Sequence, residues 1–241
     1  MMKKIRNWLW QDFDIITSTN DVAKLLADEV KQNCIVSAVL QTNGRGRRGN
    51  NWISQKGNLF ASIAFKAKTE DLSKLVILSA VAVYKTIRHF VCNCDIKIKW
   101  PNDILVNNAK ISGILFEKAN DDFWVMGVGI NVINSPQDNL TDYKTISLNQ
   151  LGANTKREEV LSLFVKVFDE LLEEYYNFGF DNIKQTWLDN AYNLGNCITV
   201  KQEKNVLQGV FLTIDDNGAL LLKTDGKIKT ILAGDLFVDK G

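Results

Sequence analysis

The side chains in this chain that could do chemistry are cations spaced by glycine. Gly44-Arg45-Gly46-Arg47-Arg48-Gly49 puts three arginines into six residues. Neighbouring guanidinium groups repel one another and glycines give up backbone order, so the stretch makes sense where an anion is to be wrapped. Arginine forks pair bidentately with carboxylate and phosphate oxygens, and glycine lets backbone amides approach an oxyanion closely. Two further clusters share this character: Lys99-Trp100-Pro101-Asn102-Asp103, and Lys110 just ahead of Ser112-Gly113. If the three converge, Arg45, Arg47, Arg48 and Lys110 share one pocket. That suits a reaction between two anions, such as a carboxylate attacking a phosphate. Well-aimed donors in a preorganised site are commonly worth about 3–4 kcal/mol each, and holding both reactants together contributes roughly 7–11 kcal/mol more.

The arginine stretch also matches G-x-G-x-x-G, the dinucleotide fingerprint, which needs a strand before it and a helix directly after. The apolar run from Ile35 to Leu40 supplies the strand. The sequel, Asn50 to Asn58, is polar and lacks helical period, and Leu59 to Phe65 then reads as a second strand. Strand, loop, strand is not a βαβ unit, so the dinucleotide reading is rejected.

The other elements follow from periodicity. A strand is expected near Asp12–Ile16, and Ser18-Thr19-Asn20 then offers N-cap residues for a helix to about Gln32. Simple capping is the plain reading of those three. Strands at 35–41 and 59–66 flank the arginine loop, and a helix spans about Leu72 to Val91. Segments at 96–100, 104–106, 111–117 and 123–132 read as an antiparallel meander, with Gly127 and Gly129 marking a close approach inside its last strand. Residues 133–154 are loop-rich. Thr155-Lys156-Arg157-Glu158 reads as a capping box opening a helix to about Asn177, and a shorter helix covers Asp181–Asn190. From Gly195 the texture changes to short β runs punctuated by Asp216-Asn217-Gly218 and Asp225-Gly226, which suggests a small barrel. A domain boundary is placed near 192, giving units 1–192 and 193–241.

Composition narrows the function classes. At 241 residues, 46% hydrophobic and 24% charged, the chain can bury a sizeable core. A net charge of +1 gives no global field for nucleic acid, so any cationic role is local. The four cysteines, Cys34, Cys92, Cys94 and Cys197, have no zinc spacing and read as reduced thiols of a cytoplasmic protein. His89 is the only histidine and sits in a helical pattern, which argues against a multi-histidine metal site and a Ser-His-Asp triad. No N-terminal apolar run suggests a signal peptide or membrane span.

Taken in order, Ser18-Thr19-Asn20, Gln41 with the arginine loop, Lys99-Trp100-Pro101-Asn102-Asp103, Lys110-Ile111-Ser112-Gly113-Ile114-Leu115 and Gly127-Val128-Gly129-Ile130-Asn131-Val132 resemble the biotin protein ligases over essentially the whole chain. Gly218-Ala219-Leu220-Leu221 and Asp225-Gly226 are similar to that family's small C-terminal barrel. The resemblance implies an α+β fold: a mixed, largely antiparallel sheet flanked by helices, of the class II synthetase-like type, plus a small SH3-like β-barrel. It implies that biotin carboxylate attacks the α-phosphorus of MgATP to give biotinyl-5′-AMP, and that a lysine of the biotin carboxyl carrier protein of acetyl-CoA carboxylase then takes the biotinyl group. On that resemblance Ser18, Thr19, Asn20 and Gln41 bind the ureido end of biotin, beside Gly113. Gly44, Arg45, Gly46 and Arg47 form a loop that closes over biotin and the adenylate, and Arg48 meets phosphate. Trp52, Asn102 and Asn131 attend the nucleotide. Lys110 holds the biotin carboxyl oxygen and, with Arg47, is the catalytic expectation. Asp103 is either a magnesium contact or a turn residue. A reactive mixed anhydride needs shielding from water, so the loop is expected to be mobile without ligand.

Asn50 stands where many family members carry a further basic residue. The ligase pattern begins within about a dozen residues, leaving no room for the winged helix of some bacterial relatives, so no repressor role and no DNA partner are expected. Homodimerisation through a sheet edge is an expectation the resemblance brings, and no residue fixes it. The rivals are a lipoate ligase on the same fold, whose motifs include a histidine-containing segment, and a non-catalytic biotin sensor. Pyrophosphate release with biotin or with lipoate separates them.

Overall fold

In the computed structural model, which describes residues 2–202 and 205–237, thirteen strands form two sheets, accompanied by four α-helices. The larger sheet holds β1 (Lys3–Ile5), β2 (Trp8–Ile16), β3 (Cys34–Gln41), β4 (Leu59–Lys66), β5 (Ile96–Lys99), β6 (Asp103–Val106), β7 (Ala109–Lys118) and β8 (Phe123–Ile130). Its spatial order is β1-β2-β3-β4-β8-β7-β6-β5. Only β2 and β3 run parallel, joined by helix α1 (Thr19–Val30); every other pair is antiparallel. The expected meander is therefore present as β5 to β8, and the strands flanking the arginine loop, β3 and β4, pair antiparallel. The strand expected near Asp12–Ile16 is β2, which starts earlier, at Trp8, because Trp8 is itself a core residue on this sheet; the short β1 precedes it.

Each face of the sheet has its own cover. Val36, Ala64, Phe123 and Val125 alternate onto the face packed by Ala23, Leu26 and Ala27 of α1. The opposite face carries α2 (Leu72–Phe90) and α3 (Arg157–Phe178), with Leu75, Leu78, Phe164 and Phe168 buried against Ile35, Ile63 and Met126. The capping expectation for α3 shifts by one residue. Lys156 is the N-cap, and the Glu159 carboxylate accepts from the Thr155 hydroxyl at 2.7 Å and from the Lys156 amide at 3.4 Å.

Helix α4 (Asp181–Asp189) leads to the second sheet: β9 (Cys197–Lys201), β10 (Val206–Ile214), β11 (Leu220–Thr224), β12 (Lys227–Ile231) and β13 (Asp235–Phe237). All pairs are antiparallel in the order β12-β11-β10-β9-β13. The expected small barrel is thus a five-stranded antiparallel sheet, with β13 added beside β9. Residues 238–241 of the expected 193–241 unit lie outside the described residues. Ile198, Val200, Phe211 and Leu222 belong to the same hydrophobic cluster as Phe164 and Trp187, so one core runs under both sheets. Among the described residues no helix is long and apolar enough to cross a membrane.

Candidate active site

The floor of the site is bare backbone. On β8, Gly127 and Gly129 point to the same face as the paired Ser62 and Phe60 of β4 and Leu115 and Gly113 of β7. A Cβ on Gly127 would lie 2.3 Å from Asn20 Oδ1, and one on Gly129 would lie 2.4 Å from the Trp52 indole. The glycines therefore make room for an amide at one end of the floor and an aromatic ring at the other.

A bulge puts Lys110 on this face. Lys110 and Gly113 are three positions apart, which in a regular strand would send them to opposite faces. The β6–β7 pairing jumps from Ile104↔Ser112 to Leu105↔Lys110, leaving Ile111 as the extra residue. Lys110 thereby points with Gly113 and Asp103. Its Nζ lies 2.8 Å from Asp103 Oδ1, 5.7 Å from the centre of the Trp52 ring and 5.1 Å from that of Tyr143. Burial pulls the ammonium pKa down, but the charge and hydrogen bond of Asp103 outweigh it, and the net shift is upward. Lys99, half-buried in the same wall, is pushed down by desolvation, which Asp103 only partly offsets.

The arginine stretch is a tight flap. Arg45 and Asn51 form an antiparallel bridge, Gly46 N–H donates to Asn50 O at 2.6 Å, and Trp52 N–H donates to Gly44 O at 2.9 Å. Arg48 takes a left-handed conformation (φ 54, ψ 35) and Gly49 follows at φ 76, so the chain reverses there. The reversal separates the arginines. Arg45 makes a bidentate pair with Asp21 at 2.7 and 2.6 Å and reaches Glu117 at 3.2 Å. Arg47 donates to Asn102 Oδ1 at 3.2 Å and to Gly234 O at 3.2 Å. Arg48 is thrown outward to Asp235 Oδ2 at 2.7 Å and Lys201 O at 3.0 Å.

At the α1 end a polar chain is already satisfied. Gln41 Oε1 accepts from the Thr19 amide at 2.8 Å and the Thr19 hydroxyl at 3.0 Å. Ser62 Oγ lies 2.7 Å from Thr19 Oγ1 and 2.6 Å from Asn20 Oδ1, and Asn20 Nδ2 donates to Glu117 at 2.6 Å. Ser18 occupies the N-cap of α1 but makes no side-chain capping bond. Plain capping thus fails to account for Ser18-Thr19-Asn20, which lie buried and face the cavity.

Between these parts lies a cavity of about 240 Å³. Ser18, Thr19, Asn20 and Gln41 line one end; Arg45, Gly46, Arg47 and Trp52 cover it; Asn102, Asp103, Lys110 and Gly113 form the far wall. Arg47 and Lys110 thus share one chamber. Three expected residues stand elsewhere. Gly44 is buried at the base of the flap beneath Trp52 O, where a Cβ would come within 2.7 Å. Arg48 faces the second sheet, as its left-handed backbone dictates. Asn131 lines a smaller adjoining space with Trp52, Lys110 and Tyr143. Its Nδ2 donates to Ile146 O at 3.0 Å, while its Oδ1 is buried without a partner among the described residues.

Several residues of the site had no signal in the sequence. Asp21, Ser62 and Glu117 look like ordinary polar positions of a helix and two strands. Asp142 and Tyr143 come from the loop-rich segment, and Asp235, Leu236 and Phe237 reach the cavity from β13. No cysteine is among the described residues that line the cavity, and burial pushes the Cys34 thiol up to about 12.

The Biotin/lipoate A/B protein ligase family matches residues 13–133, and the biotin protein ligase C-terminal domain matches residues 194–239. The bifunctional ligase/repressor BirA of Bacillus subtilis is 35% identical over 234 residues, which take in 92% of this chain and 72% of that protein. The biotin–[acetyl-CoA-carboxylase] ligase of Paracoccus denitrificans is 30% identical over 232 residues, 91% of this chain and 96% of that one. Among solved structures, the biotin protein ligase of Aquifex aeolicus in complex with biotin and ATP is similar at a TM-score of 0.83 and 26% identity, covering 95% of this chain and 97% of the other. The cationic flap over a glycine floor, the buried lysine and the two matched regions lead to one statement: this chain belongs to the biotin protein ligase family.

Proposed function

We propose that this protein activates biotin with ATP and transfers it to a lysine of a carrier protein. The observation that carries the reading is that Arg47 and Lys110 line one cavity over a side-chain-free floor. In the first step a carboxylate oxygen of biotin attacks the α-phosphorus of ATP, the bond to pyrophosphate breaks, and biotinyl-5′-AMP forms. In the second, the carrier lysine amine attacks the acyl carbon, AMP leaves with the bonding pair, and the amine gives up a proton. Both steps gather negative charge on oxygens, and fixed cations lower that cost without reorganising.

The roles follow the placement of the side chains. Ser18, Thr19, Asn20 and Gln41 take the ureido end of biotin, exchanging some of their mutual hydrogen bonds for ligand ones. The bare backbone at Gly113 and Gly129 lets the Trp52 indole sink onto the sheet, which leaves room above it for the folded bicyclic ring. Lys110 holds the carboxyl oxygen, and Arg47 faces the phosphate. Asn102 and Trp52 flank the nucleotide, and Asn131 offers its unpaired Oδ1 to a donor on the base. Arg45, Gly46 and the closely packed Gly44 keep the flap shut; Arg48 acts on phosphate only if it leaves Asp235.

Asp103 gives one carboxylate near the phosphate position, and among the described residues no group of three or more His, Cys, Asp or Glu could hold a metal ion. That fits magnesium held mainly by substrate oxygens with one protein carboxylate. Bound there, Mg2+ would neutralise phosphate charge. The carrier partner we assign is the biotin carboxyl carrier protein of acetyl-CoA carboxylase, in the cytoplasm. Homodimerisation is assigned to the β1 edge of the large sheet, since the segment at Asn190 to Tyr192 already bonds to Ile98 of β5 at the other edge. A functional division near 192 separates the binding sheet from a small unit that closes it.

The test mixes the protein with ATP, magnesium, labelled biotin and a carrier domain, alongside Lys110→Ala. Label on the carrier, lost in a folded Lys110→Ala, supports the reading. Pyrophosphate release with lipoate but not biotin, or with neither, overturns it.

A further inference from the structure

Asp235 stands where two units meet. It opens β13 in the second sheet, 188 residues from the arginine it faces at 3.4 Å and 187 from the one at 2.7 Å. Around it, Arg47 also donates to the Gly234 carbonyl and Arg48 to the Lys201 carbonyl. The flap is therefore tied to β9 and β13 by two side chains and four acceptor atoms. We propose that Asp235 is a positioning residue that clasps the flap to the C-terminal sheet through Arg48 and releases Arg47 to the anion that enters the cavity.

The two contacts are unequal, and the inequality assigns the roles. Arg48 sits at 2.7 Å on Oδ2, a charge-assisted hydrogen bond of full strength. Its left-handed backbone aims it away from the cavity, so it can stay bonded through the reaction. Arg47 reaches Oδ1 only at 3.4 Å, a distance at which little hydrogen-bond energy remains. Arg47 is a wall of the cavity and Arg48 is not. The local charges lean the same way. Among the described residues, Arg47, Arg48, Lys99 and Lys110 face Asp103, Asp142 and Asp235, four cations to three carboxylates, so the cluster is short of negative charge until an anion arrives. Asp235 thus holds Arg47 loosely and close by, which shortens its search when phosphate enters.

The clasp stands on geometry alone; its release of Arg47 rests on the biotinyl-adenylate reading. The experiment separates them. Full-length protein is digested briefly with trypsin, and cleavage within residues 44–49 is followed by mass spectrometry for the wild type, Asp235→Asn and Asp235→Glu. Asp235→Asn is expected to raise flap cleavage about fivefold, as for loss of one good ion pair, and Asp235→Glu to restore protection. Arg48→Gln, scored by cleavage after Arg45, breaks the clasp from the flap side if the Asp235 variant fails to fold. Unchanged flap cleavage in the folded variants overturns the clasp. With biotin and ATP added, adenylate retained on the protein is measured by rapid filtration. Asp235→Asn is expected to leak it about fivefold faster and to raise the KM for ATP more than it lowers kcat. Flap exposure without leakage overturns the release of Arg47, whereas a wild type that forms no adenylate overturns the ligase reading and leaves the protease result to decide the clasp.

Discussion

At the scale of single residues, the site depends on side chains that are missing. Gly129 is occupied by its neighbour: Trp52 lies where any Cβ would be. Gly129→Ala is expected to displace the indole, lower biotinylation by about tenfold to a hundredfold, and shift tryptophan emission. Overpacking of this kind costs roughly 1–3 kcal/mol. Unchanged emission with full activity would show that Trp52 is not held there. Lys110 depends on a partner that is present. Its folded pKa is raised above the usual 10.5 by Asp103, so the pair contributes stability fully below that value and loses it as pH rises through the folded value. Asp103→Asn leaves a buried ammonium unpaired, at a cost of about 3 kcal/mol near neutral pH. Denaturant unfolding from pH 9 to 12 should show an alkaline loss above about 10.5 in the wild type that is much flatter in Asp103→Asn.

At the scale of elements, the flap is a hairpin anchored at both ends by ion pairs to other elements. Arg45 is fixed to α1 and β7 through Asp21 and Glu117. Burial raises the Glu117 carboxyl pKa, but the Asn20 amide, Lys24 and Arg45 outweigh burial and depress it. Its contribution is therefore present above the unfolded carboxylate value and is lost as pH falls through the lower folded one. Glu117→Gln is expected to cost about 1–2 kcal/mol at pH 7 and to flatten the loss of stability between pH 5 and 3. Equal acid limbs in the two proteins would remove Glu117 from this role. Losing that anchor should also loosen the flap, since Asn20 and Arg45 both bind Glu117.

At the scale of the whole molecule, the two sheets are not independent. Phe211 of β10 packs on Trp187 of α4 with ring centres 6.2 Å apart, and both belong to the cluster that holds α2 and α3. Trp100, at the turn between β5 and β6, donates to the Gly218 carbonyl of the second sheet at 3.3 Å. A single cooperative thermal transition is expected, and Phe211→Ala should move all of it, by about 3–5 kcal/mol. Two transitions in calorimetry, with only one moved by the substitution, would mean that the sheets unfold separately. The coupling matters for chemistry, because β13 supplies part of the cavity wall.

Read alone, the residue pattern determined much. Period-two runs and glycine turns located nearly every strand, the 3.6-residue period located the long helices, and the glycine–arginine stretch and Lys110 marked the anion site. These are local signals, set by backbone sterics and by which side chains must be buried. Three decisions needed the tertiary structure. The bulge at Ile111 aims Lys110 inward, and it exists only as a register between two strands. The left-handed backbone at Arg48 removes one arginine from the cavity, although it looks the same as Arg47 in sequence. The counter-charges Asp21, Glu117 and Asp235 were anonymous acids until folding set them beside their arginines, because electrostatic partnership depends on distance in space and carries no mark along the chain.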